Sequence, residues 1–256
     1  MGKNINSHIQ MPKSILRKFE DDTNHIYYYD VNTGKIDRST PKSWNTELDY
    51  YDENTEKFLN KNIETPFLKV VSFIEKNIDK LPFSIPDSCF KDIKSYFNAL
   101  IARSPQLFKE AMDNSDFAKI LLDEQSQHIL TLFSALEEIE KKDMFGDFSF
   151  TFLQNKTEMP FVLPIMGMYS YAKADTGERK IILPITPKIA ILMVENKFLN
   201  EHTHADGTKV LYEVNDTSLV YSYNCYAVKY QQHLKYGSVV ANNKQLLIDI
   251  KNELEK

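Results

Sequence analysis

The feature that most constrains this chain is a change of hydrophobic period near residue 147. Between residues 54 and 139, apolar side chains recur every three or four positions, as in amphipathic helices that bury one face. Beyond Asp147 the apolar residues come in short runs broken by proline and glycine, which is how strands and their turns read. The change predicts an α+β fold: an N-terminal hairpin and helix, a helical middle, and a C-terminal mainly antiparallel sheet with capping helices.

In the middle section Phe58, Leu59, Ile63, Phe67, Val70, Val71 and Ile74 share one helical face. Pro66 falls inside that pattern and is expected to kink or divide the helix. A second helix carries Phe90, Ile93, Phe97, Leu100 and Ile101 and ends near Arg103-Ser104-Pro105. A third is expected from an N-cap at Ser115 through Ile129, Leu132, Phe133, Leu136 and Ile139. Ahead of them, the aromatic run 25–30 and the return 35–39 flank Asn32-Thr33-Gly34, a hairpin turn signal. Later strands are expected at 148–153, 160–163, 168–172, 180–185 and 189–194, with helices over 219–230 and 245–256. Linkers and repeats are absent, so residues 1–256 are treated as one unit; the alternative is a division near Phe145-Gly146 into 1–145 and 146–256.

Charge and cysteine use narrow the function classes. The net charge of −5 argues against indiscriminate binding to nucleic-acid phosphates, although a local basic patch remains compatible with it. No apolar run is long enough to span a bilayer, and residues 1–16 place polar side chains where a signal peptide needs apolar ones. A cytoplasmic protein without membrane association is therefore expected. Cys89 and Cys225 are far apart and are expected to be reduced, small apolar groups. Gly-rich phosphate loops, nucleophile elbows and zinc-finger spacings are missing, and no cofactor is expected.

The opening His8-Ile9-Gln10-Met11-Pro12-Lys13-Ser14-Ile15-Leu16-Arg17-Lys18-Phe19 resembles the start of the domain-of-unknown-function family 4238. Members of that family begin with a His, then a Pro, then a Leu-Arg/Lys-x-Phe ending. The similarity continues through Tyr29-Asp30, Thr33-Gly34-Lys35 and the Tyr50-Tyr51 pair before a Glu-containing helix. It returns at Arg103-Ser104-Pro105, Leu183-Pro184-Ile185-Thr186-Pro187 and Asn215, so it covers nearly the whole chain. Two departures stand out. His8 is four residues before Pro12 rather than three, and the family's Ser-Asp-x-Pro-like element is replaced by Phe161-Val162-Leu163-Pro164-Ile165, without an Asp. The resemblance implies fold boundaries and no specific reaction.

Two polar sets are candidates for chemistry. His8, Arg17, Glu64 and Arg103 form a candidate catalytic set with Gln10 as a substrate-binding residue: a His near neutral pKa moves protons and an Arg holds oxyanions through its planar fork. The same residues would serve as helix-end bonds and structural ion pairs. His202, His204 and Asp206 are candidate metal ligands, because two imidazoles one residue apart project to one side of an extended segment. That run resembles the first His-x-His-x-Asp element of the metallo-β-lactamase-like hydrolases, although Gly207 stands where they carry a further His. A polar surface loop explains it more economically. Glu124 and His128, four apart on one helix, are expected to be an ordinary stabilising pair.

Tyr27, Tyr28 and Tyr29 on a strand, with Tyr223, Tyr226 and Tyr230 on a helix, are expected to be core or interface stripes. Two functions follow as expectations. One is an interaction protein with a protein partner or self-association, as an oligomer or a component of a bacterial or phage complex. The other is a phosphate-ester or nucleic-acid-directed hydrolase using the N-terminal His/Arg site. Gathering of His8 with two of Arg17, Glu64 and Arg103 would favour the hydrolase, and an exposed apolar patch the interaction protein.

Overall fold

The computed structural model describes residues 6–80, 85–106, 108–109, 122–143, 145–172, 177–198, 211–234 and 237–256. Along them run β1 (Asn6–His8), α1 (Lys13–Leu16) with a 3-10 turn (Arg17–Phe19), β2 (Ile26–Asp30), β3 (Lys35–Ser39), β4 (Thr46–Leu48), α2 (Glu53–Leu59), a π turn (Asn60–Glu64), α3 (Thr65–Asn77) and α4 (Asp87–Ala102). There follow α5 (Glu124–Lys142), β5 (Phe148–Asn155), β6 (Leu163–Pro164), β7 (Tyr169–Ala172), β8 (Arg179–Thr186), β9 (Ile189–Glu195), β10 (Leu211–Val214), α6 (Thr217–Gln231), β11 (Ser238–Ala241) and α7 (Lys244–Leu254). The fold class is α+β with mainly antiparallel sheets. No helix among the described residues is long and apolar enough to cross a membrane.

The chain divides into two compact units, each assembled from separate stretches. The first comprises Met1–Pro12, Lys42–Ser72 and Pro86–Gly146. Its framework is α2, the π turn, the first part of α3, α4 and α5, with β1 paired antiparallel to β4. The apolar stripe read from the sequence is its core: Leu59, Ile63, Phe67, Val70, Ile93, Phe97 and Leu100 are buried. Phe67 stacks on Tyr96 with ring centroids 3.7 Å apart and planes 5° from parallel. The helix expected from Ser115 does not run unbroken to Ile139, because Leu122 and Asp123 are non-helical and α5 starts at Glu124. Asp123 is its N-cap, accepting the Ser126 N–H at 2.8 Å. Ser115 itself lies outside the described residues.

The second unit comprises Lys13–Pro41, Phe73–Ile85 and Asp147–Lys256. It holds a five-stranded sheet in the order β10-β5-β9-β8-β7 and a four-stranded sheet in the order β3-β2-β11-β6. β9 is buried at every position, which suits the middle of a sheet covered on both faces. The N-terminal hairpin forms as its turn signal predicts: Asp30 accepts the N–H groups of Asn32 and Thr33, and Gly34 takes φ 70°. β11 then pairs with β2 on one side and β6 on the other, which ties the hairpin to the C-terminal half of the sequence. α6 and α7 cover this sheet through Val220, Ala227, Val228, Leu247 and Ile250.

Candidate functional site

Arg103 is the centre of the polar cluster in the first unit. Its backbone N–H closes α4 on Ala99, which turns the side chain inward, where it is 3% exposed. One terminal nitrogen donates to Glu64 Oε1 at 2.9 Å and the other to the backbone carbonyl of His8. The guanidinium also lies 6.0 Å from the Tyr51 ring centroid. A cation this deep needs such partners, because an unpaired buried charge costs several kcal/mol; its Nε is buried with no hydrogen-bond partner among the described residues.

Glu64 reaches Arg103 from the π turn between α2 and α3. The Thr65 N–H returns five residues, to the Asn60 carbonyl. In a regular α-helix the ring of Pro66 would strike the carbonyl four residues back; the wider turn removes that clash. Helical residues continue through Pro66, with a single expanded turn separating α2 from α3.

Glu56 supplies a second carboxyl from the first full turn of α2, which Asp52 caps by accepting the Thr55 N–H at 2.7 Å. Burial pushes the Glu56 carboxyl above the usual carboxylate range, although the Ser7 hydroxyl and the Arg103 charge pull it down. Its Oε1 is buried with no hydrogen-bond partner among the described residues. Burial likewise pushes the Tyr51 phenol up to about 12, against the opposing pull of Arg103. Glu64, by contrast, is ion-paired, and 19% of its side chain is exposed. Two carboxyls in unequal environments therefore flank one buried cation.

Of the residues singled out in the sequence, His8, Glu64 and Arg103 meet here, His8 through its carbonyl. Gln10 is buried in the same unit. Arg17 is exposed and belongs to the other unit, on its 3-10 turn. His202, His204 and Asp206 lie outside the described residues. Among the described residues no group of three or more His, Cys, Asp and Glu side chains is placed to hold a metal ion. The His128 ring is sandwiched between Tyr50 and Phe108, at 3.7 and 3.9 Å between centroids, and burial lowers its pKa to about 4. Among the tyrosines, Tyr29 belongs to the core of the second unit and Tyr27, Tyr223 and Tyr230 pack against it; Tyr226 is exposed.

Ser7, Tyr51 and Glu56 were not legible as site residues. The one pointer was the position of Tyr50-Tyr51 before a Glu-containing helix.

The family model described as "Protein of unknown function (DUF4238)" matches residues 10–232. No curated protein and no solved structure matches the chain. Thr157-Glu158-Met159-Pro160 follows β5 after Lys156. There the Thr157 hydroxyl is bound to Asn155 Oδ1 at 2.8 Å, and Glu158 is exposed.

Proposed function

From the premise that this chain belongs to the DUF4238 family of proteins of unknown function, we propose that it is an acid–base hydrolase, with phosphate esters as the substrate class. The observation that carries this is the gathering of Glu56, Glu64, Tyr51 and His8 around Arg103 from three parts of the sequence, at residue 8, over 51–64 and at 103. Glu56, held protonated longer than an exposed carboxyl, is the proton donor to a leaving oxygen. Glu64, kept in place by Arg103, is the carboxylate that orients water. Both guanidinium termini of Arg103 are already engaged, so it organises the carboxyls instead of gripping substrate phosphate.

The test is turnover of aryl phosphate mono- and diesters by the purified chain and by Glu56→Gln. Loss of a general acid is expected to reduce kcat by about 10²-fold or more with the fold intact. Absence of turnover on every ester, or equal turnover by the variant, would overturn the proposal.

A second function has its own support. Phe58, Leu130 and Phe133, on α2 and α5 of the first unit, are 37%, 49% and 39% exposed, and the two Phe rings meet edge-on at 5.2 Å. Clustered exposed aromatics of this kind suit self-association. Light scattering should then give a multiple of the chain mass for the native protein and the single-chain mass for Phe133→Asp. A native protein that is monomeric at tens of micromolar would rule out this surface as a self-association site.

A further inference from the structure

The second unit holds an open cleft of about 500 Å³, a size that takes small molecules. Tyr27 of β2 forms one wall, Glu158 and Pro160 with Pro187 and Lys188 of the β8–β9 turn form another, and residues 242–245 at the start of α7 close it. The wall that carries Glu158 is an irregular loop held by buried side chains. Asn155, 3% exposed, accepts the Thr157 N–H at 2.9 Å and donates to the Met159 carbonyl at 2.6 Å. Asn224, 1% exposed, donates to the Pro160 carbonyl and accepts the Val162 N–H, both at 2.9 Å. Lys188 donates to the Thr157 carbonyl from the facing turn. The backbone is thus fixed on both sides of Glu158, whose own carboxylate is exposed and makes no ion pair among the described residues. A polar group on a fixed support loses little freedom when a ligand binds it.

The groups left open in the cleft select the ligand. Its charges are two carboxylates, Asp21 and Glu158, and two ammonium groups, Lys188 and Lys244, so no net field favours an ion. Asp21 is already engaged by the N–H groups of Thr23 and His25 and by Arg38 at 3.2 Å. The start of α7 is closed to anions by its own cap, since Asn243 Oδ1 accepts the N–H groups of Gln245 and Leu246. Asn242 Oδ1, by contrast, is buried with no hydrogen-bond partner among the described residues. Two acceptors, Glu158 and Asn242, therefore stand beside the apolar surfaces of Tyr27, Pro160 and Pro187. We propose that this cleft binds a neutral saccharide of one or two rings: Glu158 and Asn242 accept its hydroxyl protons, and Tyr27 with the two prolines meets its ring faces. Each sugar hydroxyl donates and accepts, and no ligand charge has to be desolvated. The cleft lies in the other unit from Arg103 and is independent of the hydrolase function.

The experiment is a proton–nitrogen correlation NMR titration of the full chain with maltose, cellobiose and diacetylchitobiose, each to about 50 mM, which reaches weak binding. At least one sugar should shift the Asn242 side-chain amide and the backbone signals of Thr157, Glu158, Phe161 and Val162. The Trp44 indole signal, in the first unit, should stay still. Glu158→Ala alters an exposed side chain and leaves the fold intact, so any change reads binding. It should raise the sugar Kd about tenfold or more, because hydrogen bonds to a charged acceptor are lost. Absence of shifts with all three sugars would overturn the proposal, as would an unchanged Kd in Glu158→Ala. Inorganic phosphate and glycine are titrated in parallel. If either moves the cleft signals while the sugars do not, the site is ionic and the saccharide proposal fails.

Discussion

Arg103→Ala should lower the stability of the first unit by about 3–5 kcal/mol, the range seen when one partner of a buried ion pair is removed. The substitution leaves the Glu64 carboxylate without its 2.9 Å partner and strips the His8 carbonyl of its donor. It also takes from Glu56 one of the two influences that favour its charged form. Trp44, the single tryptophan, is buried in the same unit, so its fluorescence in a urea titration reports this unfolding. A companion variant separates the cost of an orphaned charge from the value of the pair. Arg103→Met with Glu64→Leu removes both charges and fills their volume, and should recover at least half of the loss. If Arg103→Ala shifted the midpoint by less than about 0.5 kcal/mol in free energy, Arg103 would not be the pin described, and the geometry around Glu56 would lose its anchor.

How much of this was legible in the sequence depended on whether the physics was local. The hairpin was visible because Asn32-Thr33-Gly34 and the aromatic strand before it carry their own turn and pairing preferences. β8 and β9 were visible because uninterrupted apolar runs bounded by Pro187 and polar ends have few other uses. β11 was not: Ser238-Val239-Val240-Ala241 is too short to show a period, and it is a strand because β2 and β6 supply both neighbours. β1 and β4, three residues each, depend on one another in the same way. The third helix is expected from a cap at Ser115, whereas α5 starts at Glu124 with Asp123 as its cap. In the candidate site, Arg103 and Glu64 drew notice as polar groups beside helix ends. Glu56 did not, since an acid in the first turn of a helix ordinarily reads as a surface group complementing the dipole. Only the approach of β1 and of Arg103 makes it a buried carboxyl.

Gly237→Ala tests the second unit at a point where the backbone itself forbids a side chain. A Cβ added at Gly237 would stand 2.0 Å from the carbonyl oxygen of Gln231 and 2.8 Å from its carbon. Neither group can yield cheaply. The Gln231 carbonyl, at the end of α6, accepts the Leu234 N–H at 3.0 Å, and Gln231 is fully buried. Gly237 donates to the Leu234 carbonyl at 3.3 Å and accepts the Val31 N–H at 3.0 Å, which fixes it against the end of β2. Relief therefore requires moving either the end of α6 or the first residues of β11, the strand that pairs with both β2 and β6. The expected loss is about 3 kcal/mol, at the upper end of ordinary overpacking, because a backbone atom rather than a flexible side chain is struck. Gly177→Ala is the control: its φ of 66° makes any side chain unfavourable, but nothing lies within 4 Å of the added carbon. It should cost about 1 kcal/mol, the conformational term alone. Thermal unfolding followed by far-ultraviolet circular dichroism compares the two. Equal shifts would mean that the chain between Gln231 and Gly237 relaxes freely and that β11 is not held in place by this contact. A drop confined to Gly237→Ala would locate the stability of the four-stranded sheet at the α6–β11 junction, where its C-terminal strand enters between β2 and β6.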